Sequence, residues 1–265
     1  MVRLLINGAA GRMGKHLVAL AAQDPDLRVV AAFERPDHPD LGKDAGAVAG
    51  IEPLGVEIAA RGPVEADVAV DFSSRESSLG MLRWCPEQGI ALVVGTTGLG
   101  EEGTALLEAA ARRIPCLMAP NMSLGVNLLF SLVGRVAAAL GDDYDVEIIE
   151  AHHRYKRDAP SGTALRLGER VAEALGRSLE AVATHGRHGL VGERSRHEIG
   201  FHAVRAGDIV GEHTVVFGGV GERVELRHVA TSRETFARGA LRAARFLVGK
   251  PPGTYSMADV LALAL

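Results

Sequence analysis

Cysteine is nearly absent. Cys85 and Cys116 are the only two in 265 residues. They form no metal-binding or redox spacing, and two thiols cannot staple a chain this long. An excess of one charge is missing too. Lys and Arg number 29 against 33 Asp and Glu, a net charge of -4. That balance argues against a general binder of nucleic acid or membrane surfaces, so any anion site must be local. Long hydrophobic runs are few, and no segment is expected to approach a membrane span. The opening apolar run, Val2 to Asn7, is too short for a signal peptide and reads as a strand. Without a secretion signal, Asn121-Met122-Ser123 is a chance match to a glycosylation acceptor, and a reduced cytoplasmic compartment is the default. There is no internal repeat and no low-complexity tail.

The chain is 47% hydrophobic and 23% charged, enough for one large core or two smaller ones. Its first half alternates strands with helices. Strands are predicted at Val2–Asn7, Arg28–Phe33, Val56–Ala59, Val68–Phe72, Ile90–Val94 and Cys116–Ala119. Helices are predicted at Arg12–Ala22, Ser77–Cys85 and Glu101–Arg113, and Asp37–Gly55 reads as a loop. Apolar strands separated by helices imply a parallel sheet covered on both faces. After Asn121 the pattern changes. A long helix (Leu124–Leu140), a strand (Val146–Ile149) and a helix (Gly162–Leu175) precede a Gly-, Arg- and His-rich loop over Thr184–Ser195. Three alternating strands follow, at His197–Arg205, Gly211–Phe217 and Arg223–Ala230, implying an antiparallel or mixed sheet. Thr231–Val248 is a further helix, and Ser256 caps a last one running to Leu263.

Gly8-Ala9-Ala10-Gly11-Arg12-Met13-Gly14 lies between the first strand and the first helix. Small residues there let the chain pass close to a pyrophosphate, and the helix start offers N–H groups and its dipole. Glu34 ends the second strand, where an acid binds the adenosine ribose hydroxyls. Arg35 beside it can meet a 2′-phosphate, so NADH and NADPH both stay open. Gly95-Thr96-Thr97-Gly98 and Ala119-Pro120-Asn121-Met122 follow two other strands at their carboxyl ends, where ligands bind in open α/β sheets.

The densest chemistry lies in Glu150–Ala164. His152 and His153 can move protons near neutral pH, and Lys156 with the arginines can hold an anion. Pro160-Ser161-Gly162-Thr163 opens a helical pattern whose free N–H groups can receive a carboxylate. Proton donors beside an anion cradle suggest chemistry on a small acidic molecule.

With these residues placed, the chain resembles the dihydrodipicolinate reductases of diaminopimelate and lysine biosynthesis almost from end to end. The resemblance rests on Gly8–Gly14, Asp71-Phe72-Ser73, Gly95–Gly98, Ala119–Asn127, His152–Ala164, Arg205–Asp208, Thr231-Ser232-Arg233 with Phe236, and Tyr255-Ser256-Met257. The stretch from His152 to Thr163 is the most specific. The resemblance implies an α/β Rossmann-type doubly wound sheet plus a smaller α+β domain. It implies NADH or NADPH reducing a cyclic unsaturated dicarboxylate, 4-hydroxy-tetrahydrodipicolinate, with loss of water. His152 matches the proton donor/acceptor and Lys156 the second donor. His153 matches a substrate-binding position, and Gly162 and Thr163, with Ser161 adjacent, match a carboxylate cradle. The cofactor set it implies is Gly8, Ala9, Ala10, Gly11, Arg12, Met13, Glu34, Arg35, Phe72, Gly95, Thr96, Thr97, Ala119, Pro120, Asn121, Met122 and Arg233. Arg233 can instead join the domains, Phe236 reads as a packing residue, and Asp158 either orients a neighbour or forms a turn. Met122 stands where relatives often carry Phe.

The expected domains are residues 1–123 with 233–265 for the dinucleotide, and 124–232 for substrate and oligomer contacts. Hinges are expected at Met122-Ser123 and Ser232-Arg233, and the resemblance suggests a homotetramer formed through the second domain's sheets. Competing readings are a zinc hydrolase, another dehydrogenase of amino or keto acids, and a non-enzymatic dinucleotide sensor. His197-Glu198 and His202 miss the zinc spacing and lie on an alternating strand pattern, so no metal is expected.

Overall fold

A computed structural model describes residues 1–263; residues 264 and 265, which the sequence assigns to the first domain, lie outside the described residues. The chain divides into two compact units, Met1–Leu124 with Glu234–Ala262, and Gly125–Arg233 with Leu263.

The first unit alternates β1 (Val2–Asn7), α1 (Arg12–Ala22), β2 (Leu27–Phe33), α2 (Ala45–Ala49), β3 (Ile58–Ala59), β4 (Val68–Asp71), α3 (Arg75–Gln88), β5 (Ala91–Val94), α4 (Gly100–Ala111) and β6 (Pro115–Met118). The second unit holds α5 (Leu124–Leu140), β7 (Asp145–His152), α6 (Gly162–Ala174), α7 (Leu179–Val182), β8 (Ala183–His185), β9 (Ile199–Arg205), β10 (Gly211–Gly218) and β11 (Arg223–Ala230). α8 (Glu234–Leu247), β12 (Gly253–Tyr255) and α9 (Met257–Val260) return to the first.

In the first unit, seven strands pair in the order β12-β6-β5-β4-β1-β2-β3, all parallel. Parallel strands covered on both faces read as unbroken apolar runs. Leu4, Leu5 and Ile6 are all fully buried, yet they serve two cores. Leu4 and Ile6 pack with α1 and α8, while Leu5 packs with α3 and α4. α8 presents Ala237, Ala240, Ala243 and Ala244 to the first of these cores, small side chains that let the helix lie close. α2 lies within the stretch expected to be a loop. The Asp44 carboxylate caps it through Ala47 N and also accepts N–H bonds from Leu54, Gly55 and Val56. Five residues are too few to show a helical period.

In the second unit the sheet order is β11-β10-β7-β9-β8. β10 is antiparallel to β7 and β11, whereas β9 is parallel to β7 and β8. α5 and α6 cover one face through Leu129, Val133, Ala137, Leu167 and Val171, packed on Val146, Ile148, Val215, Phe217 and Phe201. Contrary to expectation, one stretch, Leu124–Asp143, is long and apolar enough by length and composition to cross a membrane. Its buried stripe belongs to the core just described.

Where α8 crosses the link after β6, an added methyl at Gly239 would stand 1.7 Å from the Met122 carbonyl oxygen. Main chain cannot yield there as a side chain would. Gly239→Ala is expected to destabilise the protein by about 3 kcal/mol, the upper range for overpacking. Gly62→Ala, with nothing within 4 Å, should stay within about 0.5 kcal/mol. Urea unfolding of both variants checks the contrast.

Candidate active site

The carboxyl ends of the parallel strands carry those residues predicted to hold the dinucleotide that lie in the first unit. Gly8 leaves β1 with φ +77°, a conformation other residues avoid. A side chain there would strike the Phe72 carbonyl oxygen at 2.6 Å, and one at Gly14 would strike the Gly8 carbonyl oxygen at 2.1 Å. The turn therefore needs small residues for its own packing. Gly11 starts α1 without a side-chain cap, which suits an anion at that helix end. Ala9 and Ala10 are buried, Arg12 is exposed and Met13 half-buried. Glu34 accepts the Ala10 N–H at 3.2 Å and the Arg35 N–H at 3.1 Å, so the acid at the end of β2 touches the turn. Arg35 pairs at the surface with Asp37, 3.5 Å away. These residues fit a nicotinamide dinucleotide.

The neighbouring loops share one buried carboxylate that the sequence left without a role. Asp71, wholly buried at the end of β4, accepts bonds from Asn7 Nδ2 at 2.7 Å and Ser73 Oγ at 2.5 Å. Thr96 Oγ1 lies 3.4 Å from its other oxygen and accepts the Ser73 N–H at 3.0 Å. Burial raises the Asp71 carboxyl above its ordinary value, and these bonds oppose the rise. The Phe72 ring fills the space beside Gly95, and Thr97 is exposed. Ala119 and Met122 are buried, Pro120 is exposed, and Asn121 accepts the Ser123 N–H at 2.9 Å. Arg233 is exposed at the end of the second unit, and Phe236 packs against the first unit's core.

In the second unit β7 runs three residues beyond its predicted end and carries His152 on a strand. Val146 and Ile148 on its helix-covered face are apolar; Glu150 and His152 continue the same face. Glu150 is 1% exposed and was assigned nothing by the sequence. Its Oε2 accepts from His152 Nδ1 at 2.6 Å and Arg205 Nη1 at 2.8 Å. Its Oε1 accepts from Arg205 Nη2 at 2.7 Å and the Ser161 N–H at 3.1 Å. Burial pushes Glu150 upward, but the bonds from Arg205 and His152 outweigh it and hold the carboxylate ionised. The His152 ring titrates below its usual value, chiefly through burial, against the opposing pull of Glu150.

Ser161 caps α6 by accepting the Ala164 N–H at 3.1 Å, and its Oγ also lies 3.0 Å from His213 Nε2. Gly162 is exposed and Thr163 half-buried in the first turn of α6. Lys156 Nζ donates to both oxygens of Asp158, at 2.9 and 2.8 Å. His153 Nδ1 is buried with no partner among the described residues. Among those residues, no cluster of three or more His, Cys, Asp or Glu could hold a metal. His202 instead pairs with Glu147 at 2.6 Å.

His213, another residue the sequence left unassigned, is 3% exposed. Burial first, and then the neighbouring His152, hold its ring down to about 3. The unfolded chain protonates this residue below about pH 6.5 while the folded chain keeps it neutral. Stability is therefore expected to fall with falling pH from about 6.5 toward 3, by about 1.4 kcal/mol per pH unit for this one ring. Urea unfolding at pH 7.5 and 5.5 should show a smaller loss in His213→Leu than in the unaltered protein.

Comparison with known proteins matches residues 2–122 to the family model "Dihydrodipicolinate reductase, N-terminus" and residues 125–261 to "Dihydrodipicolinate reductase, C-terminus". The 4-hydroxy-tetrahydrodipicolinate reductase of Anaeromyxobacter dehalogenans is 54% identical over 99% of this chain and 98% of its own. That of Hahella chejuensis is 52% identical over 99% and 100%. A dipicolinate-bound dihydrodipicolinate reductase from Paenisporosarcina sp. TG-14 superposes with a TM-score of 0.76 at 26% identity, covering 98% of each chain. A probable dehydrogenase from Thermotoga maritima, 12% identical with a TM-score of 0.59 over 98% and 92%, shares the fold. The chain thus belongs to the dihydrodipicolinate reductase family and reduces 4-hydroxy-tetrahydrodipicolinate with a nicotinamide cofactor, in the diaminopimelate and lysine pathway.

Proposed function

We propose that the first unit holds the dinucleotide and the second the cyclic dicarboxylate, with His152 as proton donor and Lys156 as second donor. One observation carries the reading: a half-buried imidazole ends β7, bonded to a carboxylate that also ties down the start of α6. When bound, the nicotinamide supplies hydride. Reduction of a conjugated C=C–C=N unit leaves electron density on the substrate that a proton must quench, and His152 sits in a setting suited to give it. Lys156 places a positive charge close enough to act on the His152 ring, which favours developing negative charge. A substrate carboxylate would lie at Ser161, Gly162 and Thr163, with His153 as a further contact. The orphaned His153 nitrogen supports that contact. The dipicolinate in the Paenisporosarcina relative supports a small dicarboxylate here.

In the first unit, the turn Gly8–Met13 would carry the pyrophosphate, and Phe72, Gly95–Thr97 and Ala119–Met122 the remainder. Glu34 would bind the ribose hydroxyls of NADH, or Arg35 the 2′-phosphate of NADPH. A homotetramer is supported by the sheet face turned away from α5 and α6, which exposes Ile149, Val204 and Val229. The free, buried Cys85 and Cys116 suit a cytoplasmic setting.

His152→Ala is expected to lower kcat by roughly 10²–10⁴-fold, with nucleotide affinity unchanged in a fluorescence titration. Lys156→Ala should also slow turnover. Unchanged kinetics in either variant removes that residue's role. Glu34→Ala should instead raise the Kd for NADH by about tenfold or more, the scale of a lost charged hydrogen bond. Side-by-side KM values for NADH and NADPH read out the Glu34-Arg35 pair directly.

A further inference from the structure

We propose that Glu150, clamped by Arg205, is a positioning residue that holds the His152 imidazole in one tautomer and makes Nε2 the proton-transfer atom. This rests on the reading of His152 as proton donor. An ionised carboxylate can only accept hydrogen bonds. The 2.6 Å contact to Glu150 Oε2 therefore places a hydrogen on His152 Nδ1. The chemistry is left to Nε2, and the ring cannot turn over without leaving a buried carboxylate short of a donor.

The arrangement is built from strands, which makes it rigid. The β7–β9 register sets Arg205 directly opposite His152, and Arg205 grips both oxygens of Glu150. Such a fork is the strong geometry for a carboxylate. It also offsets a buried negative charge that would otherwise be costly. The β7–β10 register sets His213 opposite Glu150. Its ring meets that of His152 edge to face, 5.2 Å between centroids, and forms a wall against rotation. Gly211 lies two residues before His213 at the start of β10, and a methyl there would stand 3.1 Å from His152 Nε2. Gly211 therefore adds no side chain of its own beside the reactive nitrogen, and His213 is the β10 side chain that faces the ring.

The charged and titratable groups acting on the ring are Glu150 on β7, Arg205 on β9, His213 on β10 and Lys156 on the following loop. Glu150 favours the protonated ring, while Lys156 and Arg205 disfavour it. Removing only the carboxylate charge must therefore shift the ring's titration to lower pH. Because the Ser161 N–H bonds the same carboxylate, one group also aligns the donor with the start of α6.

Glu150→Gln keeps the shape and removes the charge. Nitrogen-15 NMR of the ligand-free protein should show the neutral His152 ring as the Nδ1–H form in the unaltered chain. In Glu150→Gln that form should be lost and the titration moved to lower pH. In steady-state assays kcat should fall about 10- to 100-fold, the scale known for carboxylates that orient metal-bound histidines, with nucleotide Kd unchanged. If the lone guanidinium prevents folding, Glu150→Gln/Arg205→Met removes it and should show the same loss of the Nδ1–H form. A variant that folds yet keeps the tautomer, the titration and kcat overturns the proposal. His152→Ala separates the two ideas. If it leaves turnover intact, the donor reading fails. If it abolishes turnover while Glu150→Gln changes nothing, only the positioning role fails.

Discussion

A carboxylate placed inside a protein has to be answered by donors, because its desolvation is not recovered by packing. The second unit is organised around one such group. Glu150 sits on the helix-covered face of its sheet, in line with Val146 and Ile148, where a leucine would complete the core. Instead a guanidinium from β9, a main-chain N–H at the start of α6 and an imidazole from its own strand converge on two oxygens. Each partner is thereby fixed relative to the others. Along β7 the face changes from apolar core to polar site within a few residues, and Glu150 marks the change.

The first unit meets the same difficulty in another way. Asp71 is as deeply buried, but its partners are an amide and hydroxyls from Asn7, Ser73 and Thr96, and its carboxyl is pushed upward. These neutral donors come from the ends of β1, β4 and β5, so Asp71 ties together three loops at the crest of the sheet. An added cation there would place a fixed charge beside the glycine turn, where the helix start already favours anions. The two carboxylates divide the work. One is ion-paired and sets a proton-transfer group, while the other knits a binding surface.

Much of this was legible in the chain. The apolar runs announced a parallel sheet because strands covered on both faces have no polar side. The first helix and the long Leu124 helix showed their periods over many turns, and Gly8, Gly14 and Glu34 stand where the turn demands them. What stayed hidden depends on register between distant segments. Arg205 reaches Glu150 across 55 residues and His213 reaches Ser161 across 52. In the sequence Arg205 shows only as the start of a motif without a stated partner, and His213 looks like an ordinary polar position of an alternating strand. β12 is three residues long and exists because β6 offers it an edge, a tertiary cause with no local sign. α2 and α7 are too short for a period. The apolar length of α5 arises from a helix whose core stripe is only part of its nonpolar surface.

The two groups proposed to meet the charge that develops on the substrate are held with very different firmness, and the difference follows from the imidazole's proton transfer and the ammonium's electrostatic role. His152 is fixed by strand geometry and a buried carboxylate, because proton transfer fails when donor and acceptor are misplaced by a fraction of an ångström. Lys156 sits on the loop after β7 and pairs with Asp158, whose side chain is 60% exposed. The Lys156 side chain is only 20% exposed, but a pair open to water on its Asp158 side contributes only about 0–1 kcal/mol, so the ammonium can leave Asp158 for a stronger anion at little cost. An electrostatic partner tolerates that freedom, since attraction falls off slowly with distance and needs no aligned orbital. Rigidity is thus spent on the imidazole, and the ammonium is kept nearby on a tether.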